Sequence, residues 1–432
     1  MKQKSVIDLL AILSILIITV LFCIDLKSIP FHPDETTQIF MSSDLERFLE
    51  SPLSIVFDPQ KTDIRQHYRL IDAPLSRWII GFARMVIASP ALKADWDWSK
   101  SWDENRASGA LPSDDLLIIS RLAIALSIFP SLIFFYFAIK SLVSTRLLSF
   151  VGLLLLVINP LILLHARRAM SEGWLLFAVC FNIWIISRQN RSPLFQIAGS
   201  GLAILAKQTA ISFLFVYLWN HIRHYISGHK SLITTARNIV ILGVGLCFFL
   251  YIFNPVFWQE FAQAIRASIN ERAETNNSQT QACNQANPSY VLDDKGERFT
   301  SIIANLYFLP PSIADVPNYE VVNKEQSKIY FGSRLHRYEK PFLVGSIFLF
   351  ITIFGVILAI LEQARSPETY RNTTDLLIGT LIQFTALLVF IRFPFQRYVL
   401  PLIPFSIIWI LIALDRIIQV MISHLRLHRT DI

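Results

Sequence analysis

The chain has 432 residues, 53% hydrophobic and 16% charged, with a mean hydropathy of +0.48 and a net charge of +7. A soluble domain of this length cannot bury so much apolar side chain, which excludes an ordinary soluble globular protein. The positive charge is spread over the loops between apolar blocks, so it reports membrane topology, and no nucleic-acid partner is expected.

The first apolar block, residues 5–24, contains one charge, Asp8. About 20 such residues are needed to cross a bilayer core as a helix. Lys2 and Lys4 precede the block, as in a signal peptide, but a signal h-region is about 7–15 residues and ends at a small-residue site. This block is longer and ends in Cys23-Ile24-Asp25-Leu26-Lys27, so it reads as a retained anchor. With 5–26 as the first span, others are expected at 115–139, 147–164, 173–187, 194–206, 208–222, 237–256, 342–362, 375–391 and 399–421, about ten in all. The fifth and sixth are short, and the alternative is one long helix broken at Lys207-Gln208.

The distribution of Lys and Arg orients the spans. With the N-terminus in the cytoplasm, the inner segments hold Lys2 and Lys4; Lys140 and Arg146; Arg188 and Arg191; Arg223, Lys230 and Arg237; Arg365 and Arg371; Arg426 and Arg429. Fusing the fifth and sixth spans would move the basic 223–237 segment outside, so ten spans with both termini inside is the better topology. The fold class expected is an all-α membrane bundle. Its parts are an N-terminal transmembrane module (1–256) including a first outer loop at 27–114, an outer loop at 257–341, and C-terminal helices at 342–432.

In the first outer loop a short helix is expected after Pro33, then a mixed stretch over 44–71. An interfacial amphipathic piece at 74–89 carries Arg77 and Arg84. A Trp-rich acidic stretch follows (Trp96, Trp98, Trp102), read as an aromatic belt before a sugar-stacking platform. In the second outer loop, 274–289 is rich in Asn and Gln and reads as a flexible loop. The cysteines Cys23, Cys180, Cys247 and Cys283 have no metal or disulfide spacing. No Gly-rich nucleotide loop is present, which argues against nucleotide-driven cytoplasmic chemistry.

The informative charges lie on the wrong side of the membrane. Arg167, Arg168, Lys207, Arg392 and Arg397 all fall at the outer surface in this topology. Each alone reads as snorkelling to lipid phosphate. Together they suit a cavity that receives a lipid-tailed phosphate, since Arg forks and a Lys point charge match phosphate oxygens. At the same level, Asp34 and Glu35 follow Pro33 in the first turn of a helix, where the dipole favours negative charge. They read either as an ordinary acidic helix start or as a general base. Beside a cationic cluster such a carboxylate stays ionised at neutral pH. His32 is either a proton partner or a structural hydrogen-bonding residue. Glu172 is either a helix-start carboxylate or a group that orients Arg168 or binds a sugar hydroxyl.

At these residues the sequence resembles the GT-C superfamily of membrane glycosyltransferases. His32-Pro33-Asp34-Glu35 with Gln38 is similar to the HPDExxQ pattern of lipid-linked mannosyltransferases. Asp72-Ala73-Pro74-Leu75 resembles the "PPL" segment of the protein O-mannosyltransferase and aminoarabinose transferase branch, with Ala73 replacing the first Pro. Ala166–Glu172 resembles its Arg-rich turn followed by an acid. Gly201–Lys207 resembles "GLAxLTK", with Ala206 replacing Thr, and Arg397–Pro404 resembles "RYxLPxxP". The ordered set covers roughly residues 1–410.

The resemblance implies transfer of a sugar from a polyprenyl phosphate to an acceptor protein, lipid or glycan at the extracytoplasmic face of a multi-pass membrane protein. Asp34 would take the acceptor proton, and Glu35 would bind the acceptor or orient Asp34. Arg167, Arg168, Lys207, Arg392 and Arg397 would hold the donor phosphate, and Tyr398 would pack or hydrogen-bond nearby. No cofactor is required, although some members of the superfamily use a divalent metal. Sparse cysteine and a single outer-loop sequon at Asn276 fit a prokaryotic plasma membrane. The rival readings are a transporter or flippase for a lipid-linked or anionic substrate, and a non-catalytic membrane subunit.

Overall fold

The computed structural model describes residues 2–188, 192–286, 288–313, 319–333, 336, 342–365 and 371–430. Among these the chain is all helical, without a strand. The N-terminal half comprises α1 (Lys2–Phe22), α2 (Pro33–Met41), α3 (Asp44–Glu50), α4 (Ile64–Ile71), α5 (Leu75–Val86), α6 (Trp102–Ala107), α7 (Asp114–Ala125), α8 (Ile128–Leu142), α9 (Arg146–Val157), α10 (Pro160–His165), α11 (Glu172–Ile186) and α12 (Pro193–Ala206). The remainder comprises α13 (Ser212–Ile226), α14 (Leu232–Phe253), α15 (Phe261–Ala286), α16 (Lys295–Ile303), α17 (Glu320–Gly332), α18 (Phe342–Arg365), α19 (Arg371–Phe390) and α20 (Leu402–Thr430).

Among the described residues five runs are long and apolar enough to cross a membrane: Asp114–Leu142, Leu232–Phe253, Phe342–Ala364, Thr373–Phe390 and Leu402–Leu425. Asp8–Phe22, Arg146–Val157, Glu172–Ile186 and Pro193–Ala206 are apolar but shorter. Local chemistry explains where the helices break. Between α7 and α8 the chain tightens at Leu126-Ser127, just before Pro130, which has no N–H to give the preceding turn. Between α9 and α10 Asn159 caps the new helix, its Oδ1 accepting from Leu161 N at 3.0 Å, with Pro160 in the first position. At Lys207 the backbone is extended (φ −156°, ψ 123°). A 3-10 turn over Gln208–Ile211 then leads into α13. The expected discontinuity at Lys207-Gln208 is therefore a corner between two helices, and α12 and α13 pack against each other.

The core lies where α8, α9, α11 and α20 meet, with Phe135, Ile139, Leu153, Leu156, Val179, Cys180, Phe405 and Trp409 fully buried. α18 lies so close to α20 that a Cβ on Gly355 would sit 2.1 Å from the Trp409 carbonyl oxygen. α14 and α18 cover little protein surface and leave large apolar side chains such as Val244, Phe248, Phe350 and Ile357 exposed, as suits lipid solvent.

The outer segments differ from expectation in three places. The two arginines of the 74–89 piece point inward and not to lipid headgroups. Arg84 is fully buried, gives Nε to Ser42 Oγ at 2.7 Å and chelates Glu46 at 2.7 Å. Arg77 approaches Asp44, which Arg69 also clasps at 2.7 Å, so α3, α4 and α5 share a small ionic core. The exposed face of α5 is the apolar one, with Phe82, Met85 and Val86. Trp96 belongs to no surface belt. It is buried against Phe31, Trp102 and Tyr319 and gives its Nε1–H to Tyr319 Oη at 3.1 Å, pinning the second outer loop to the first. Finally, the Asn/Gln-rich run is helical through Ala286, as the second half of α15. The first half is held on α4, and the helix propagates from that packed start through Gln and Ala, which favour helix, more cheaply than it could nucleate alone.

Candidate active site

The site grows from the start of α2. His32 has extended backbone and caps the helix: its Nδ1 accepts from Asp34 N at 3.1 Å, and Glu35 Oε2 accepts from His32 N at 3.0 Å. This reciprocal capping box, with Pro33 next, fixes α2 to its first residue. His32 is therefore tied to backbone capping through Nδ1.

Consecutive residues on a helix point about 100° apart, so Asp34 and Glu35 cannot share a role. Glu35 is fully buried. Its oxygens receive Arg121 Nε and Nη2 at 2.8 Å each, Ala169 N at 2.8 Å and the His32 N–H. Burial alone would raise its pKa. The charge and hydrogen bonds of Arg121, the charge of Arg168 and the Ala169 N–H outweigh burial and hold it below the ordinary carboxylate range. Arg121 spends its remaining Nη1 on the carbonyls of Leu26 and Ile29, both at 2.8 Å. Sequence reasoning missed Arg121. The available signal was a lone arginine inside the apolar run 115–139, a placement that is rarely without purpose. The Glu35–Arg121 unit locks α2, α7, the end of the first span and the 166–171 turn into one block.

Asp34 points the other way and keeps 35% of its side chain exposed. It forms an ion pair with Arg397 Nη1, from the 3-10 turn Gln396–Val399 that leads into α20. Lys207, at the α12–α13 corner, bonds Glu172 Oε1 at 2.8 Å. The Tyr398 ring bridges the two cations, 5.3 Å from Lys207 Nζ and 5.9 Å from the Arg397 guanidinium. Asp34, Arg397, Tyr398, Lys207 and Glu172 thus form one cluster although they are scattered over the chain, and Glu172 feels the charge of both cations.

The other three predicted phosphate ligands have different placements. Arg167 and Arg168 are fully enclosed. Arg167 donates to Ile24 O, lies 5.5 Å from the Phe22 ring and meets His336 Nε2 at 2.7 Å. Burial and then the Arg167 charge push His336 down to about 4, so its neutral ring accepts that hydrogen bond. Arg168 donates to Pro30 O at 3.1 Å and Ile313 O at 2.8 Å. Both arginines tie the 166–171 turn to Ile24, Pro30, Ile313 and His336. Arg392 is exposed, and its described side-chain contact is Asn277 Oδ1 on α15 at 3.5 Å, apart from the Tyr398 cluster. Arg392 thus lies beside α15, while Arg397 of the same segment joins the Asp34 cluster.

Beside Asp34 lies a second acidic set. Tyr68 Oη gives a hydrogen bond to Asp95 Oδ2 at 2.6 Å, and Thr37 Oγ1 one to Asp95 Oδ1 at 2.9 Å. Burial raises the Asp95 pKa, with the Asp34 charge adding to it against those bonds. Asp72 is likewise raised by burial and by Asp34, opposed by Arg272 at 3.7 Å and by Arg77. Arg272 also donates to Ile71 O and reaches Gln208 at 3.4 Å, closing the rim from α15. Among the described residues no three His, Cys, Asp or Glu side chains are grouped so as to hold a metal ion. The arrangement offers a partly exposed carboxylate paired with one cation, Arg397, with Lys207 on the far side of the Tyr398 ring, which suits proton abstraction next to an anion.

No protein-family model and no curated protein matches this chain. Among solved structures, it is similar to two crystal structures of the Archaeoglobus fulgidus oligosaccharyltransferase. One is the apo form; the other is tethered by a disulfide to an acceptor peptide containing the NVT sequon. Each gives a TM-score of 0.49 at 12% identity over 97% of this chain, covering 51% and 50% of the other. The chain thus spans about half the length of that enzyme.

Proposed function

We propose that this protein is a GT-C-type membrane glycosyltransferase, with about ten spans, that moves a sugar from a polyprenyl phosphate to an acceptor hydroxyl at the extracytoplasmic face, inverting the anomeric centre. The observation that carries the proposal is the meeting of Asp34 with Arg397, whose guanidinium shares the Tyr398 ring with Lys207. Three segments expected from sequence to share one chemistry converge from residues 34, 207 and 397.

Asp34 is the base and Arg397 with Lys207 the phosphate clamp. In the resting protein Arg397 is occupied by Asp34. An arriving donor phosphate takes over that guanidinium and frees the Asp34 carboxylate. The acceptor oxygen then attacks the anomeric carbon while its proton passes to Asp34. The bond from the anomeric carbon to the phosphate oxygen breaks, and the lipid phosphate leaves with the electron pair. Arg397 and Lys207 stabilise the charge that develops on it. Glu35 is a positioning residue, and Arg167 and Arg168 act through the loops they hold.

The clamp is tested with Arg397→Ala in a transfer assay with a polyprenyl-phosphate sugar in proteoliposomes. The expected result is at least a tenfold rise in the apparent KM for donor, in line with loss of a charge-assisted contact worth roughly 1.5–3 kcal/mol. Unchanged KM and kcat would remove Arg397 from the site.

A further inference from the structure

α15 follows α14 after only a short turn. Asn254 ends α14, Pro255–Phe257 form a 3-10 turn, and Glu260, at φ 48°, redirects the backbone into the new helix. Trp258, in that turn, gives its indole N–H to Tyr251 O in the last turn of α14 at 2.5 Å. An indole bonded to the end of a lipid-exposed span marks the headgroup level. α15 begins three residues later, so its first turns lie close to that level.

The two faces of α15 differ. Toward the protein, Ala264 is fully buried, Ser268 bonds Leu70 O at 2.6 Å and Glu271 bonds His67 at 2.6 Å, while Arg272 meets Ile71 O and Asp72. On the outer side Phe261, Ile265 and Ile269 are 47%, 36% and 64% exposed. Their four-residue spacing makes one stripe. It continues the exposed end of α14, where Tyr251, Ile252 and Phe253 are also open. Beyond Ile269 the sequence to Ala286 has no further large apolar residue, so the stripe stops where the helix would leave the interface.

We propose that the first half of α15 is seated in the outer leaflet, with Phe261, Ile265 and Ile269 against lipid acyl chains. Continuity with the lipid-facing end of α14 selects the bilayer as occupant over a second copy or a protein partner. The seating gives the bilayer a hold on the rim of the site, because the opposite face of α15 carries the contacts to His67, Leu70, Ile71 and Asp72.

The test is photolabelling of the full chain in nanodiscs of phosphatidylcholine that includes a lipid with a diazirine at the acyl terminus, with adducts mapped by mass spectrometry. Adducts are expected on α14 and on 261–269, with none on 276–286. An Ile265→Gln/Ile269→Gln variant should keep the α14 adducts and lose at least about five-sixths of those on 261–269, as expected when apolar anchors become polar. Labelled α14 with an unlabelled 261–269 segment would overturn the proposal. So would labelling spread along all of α15, or a cross-link from 261–269 to a second copy. The readout is positional and stands whether or not the transferase reading holds.

Discussion

Replacing Asp34 by Asn should lower turnover about 10²- to 10⁴-fold, the usual contribution of a positioned general base, while leaving the apparent KM for donor unchanged or lower. Asn keeps the shape and the place on α2 but takes no proton at neutral pH. In free energy the loss is about 3–5 kcal/mol on the transition state. The KM half of the prediction follows from the resting ion pair: with the carboxylate gone, the donor phosphate no longer has to displace Asp34 from Arg397. Arg397→Ala raises KM and also lowers kcat, whereas Asp34→Asn lowers kcat alone, and the pair separates base from clamp. Full turnover in Asp34→Asn would remove this carboxylate from the chemistry.

The largest expected effect on folding is at Arg121. Arg121→Met leaves Glu35 fully buried without its guanidinium and leaves the carbonyls of Leu26 and Ile29 without their donor. Breaking one side of a buried ion pair costs about 3–5 kcal/mol, against a typical total of about 5–15 kcal/mol for a folded domain. A sharp drop in the detergent unfolding midpoint is expected. Adding Glu35→Leu should restore part of it, because removing both charges is far less costly than orphaning one. The pair also sets an acid limit. Glu35 is held below its ordinary pKa, so its contribution is complete above the unfolded value of about 4.3 and is lost as pH falls through the lower folded value. Glu35→Gln should flatten that part of the acid unfolding profile. An unchanged midpoint in Arg121→Met would contradict the locking role.

Much of the architecture was legible because lipid solvent imposes a simple rule: long apolar blocks must be helices. Each apolar block falls on a described helix or helix pair, five of them long and apolar enough to cross a membrane, and the corner at Lys207 falls where the apolar pattern is interrupted. Asp34, Lys207, Arg397, Tyr398 and Glu172 stand out in the sequence, and the fold brings them together. The division of labour between Asp34 and Glu35 was not legible. Neighbours on a helix look alike in sequence, and which one faces inward depends on Arg121, 86 positions away. The surroundings of Arg167 and Arg168 were not legible for a related reason. Their charge and level suited phosphate, but the carbonyls of Pro30 and Ile313 that receive Arg168 are set by tertiary packing. The helix in the second half of α15 was not legible from composition, since Gln favours a helix and Asn disfavours it only weakly once a packed first half has nucleated it. Arg191 and the segments 314–318 and 337–341 lie outside the described residues.

The central claim is tested most directly by mass spectrometry of lipid-linked sugars and glycans from cells lacking this gene, complemented with wild type or with Asp34→Asn. The account predicts that one polyprenyl-phosphate sugar accumulates and one glycosylated product disappears. Wild type should reverse both changes and Asp34→Asn neither. Unchanged lipid-linked sugars and glycans in the deletion, or full complementation by Asp34→Asn, would contradict it.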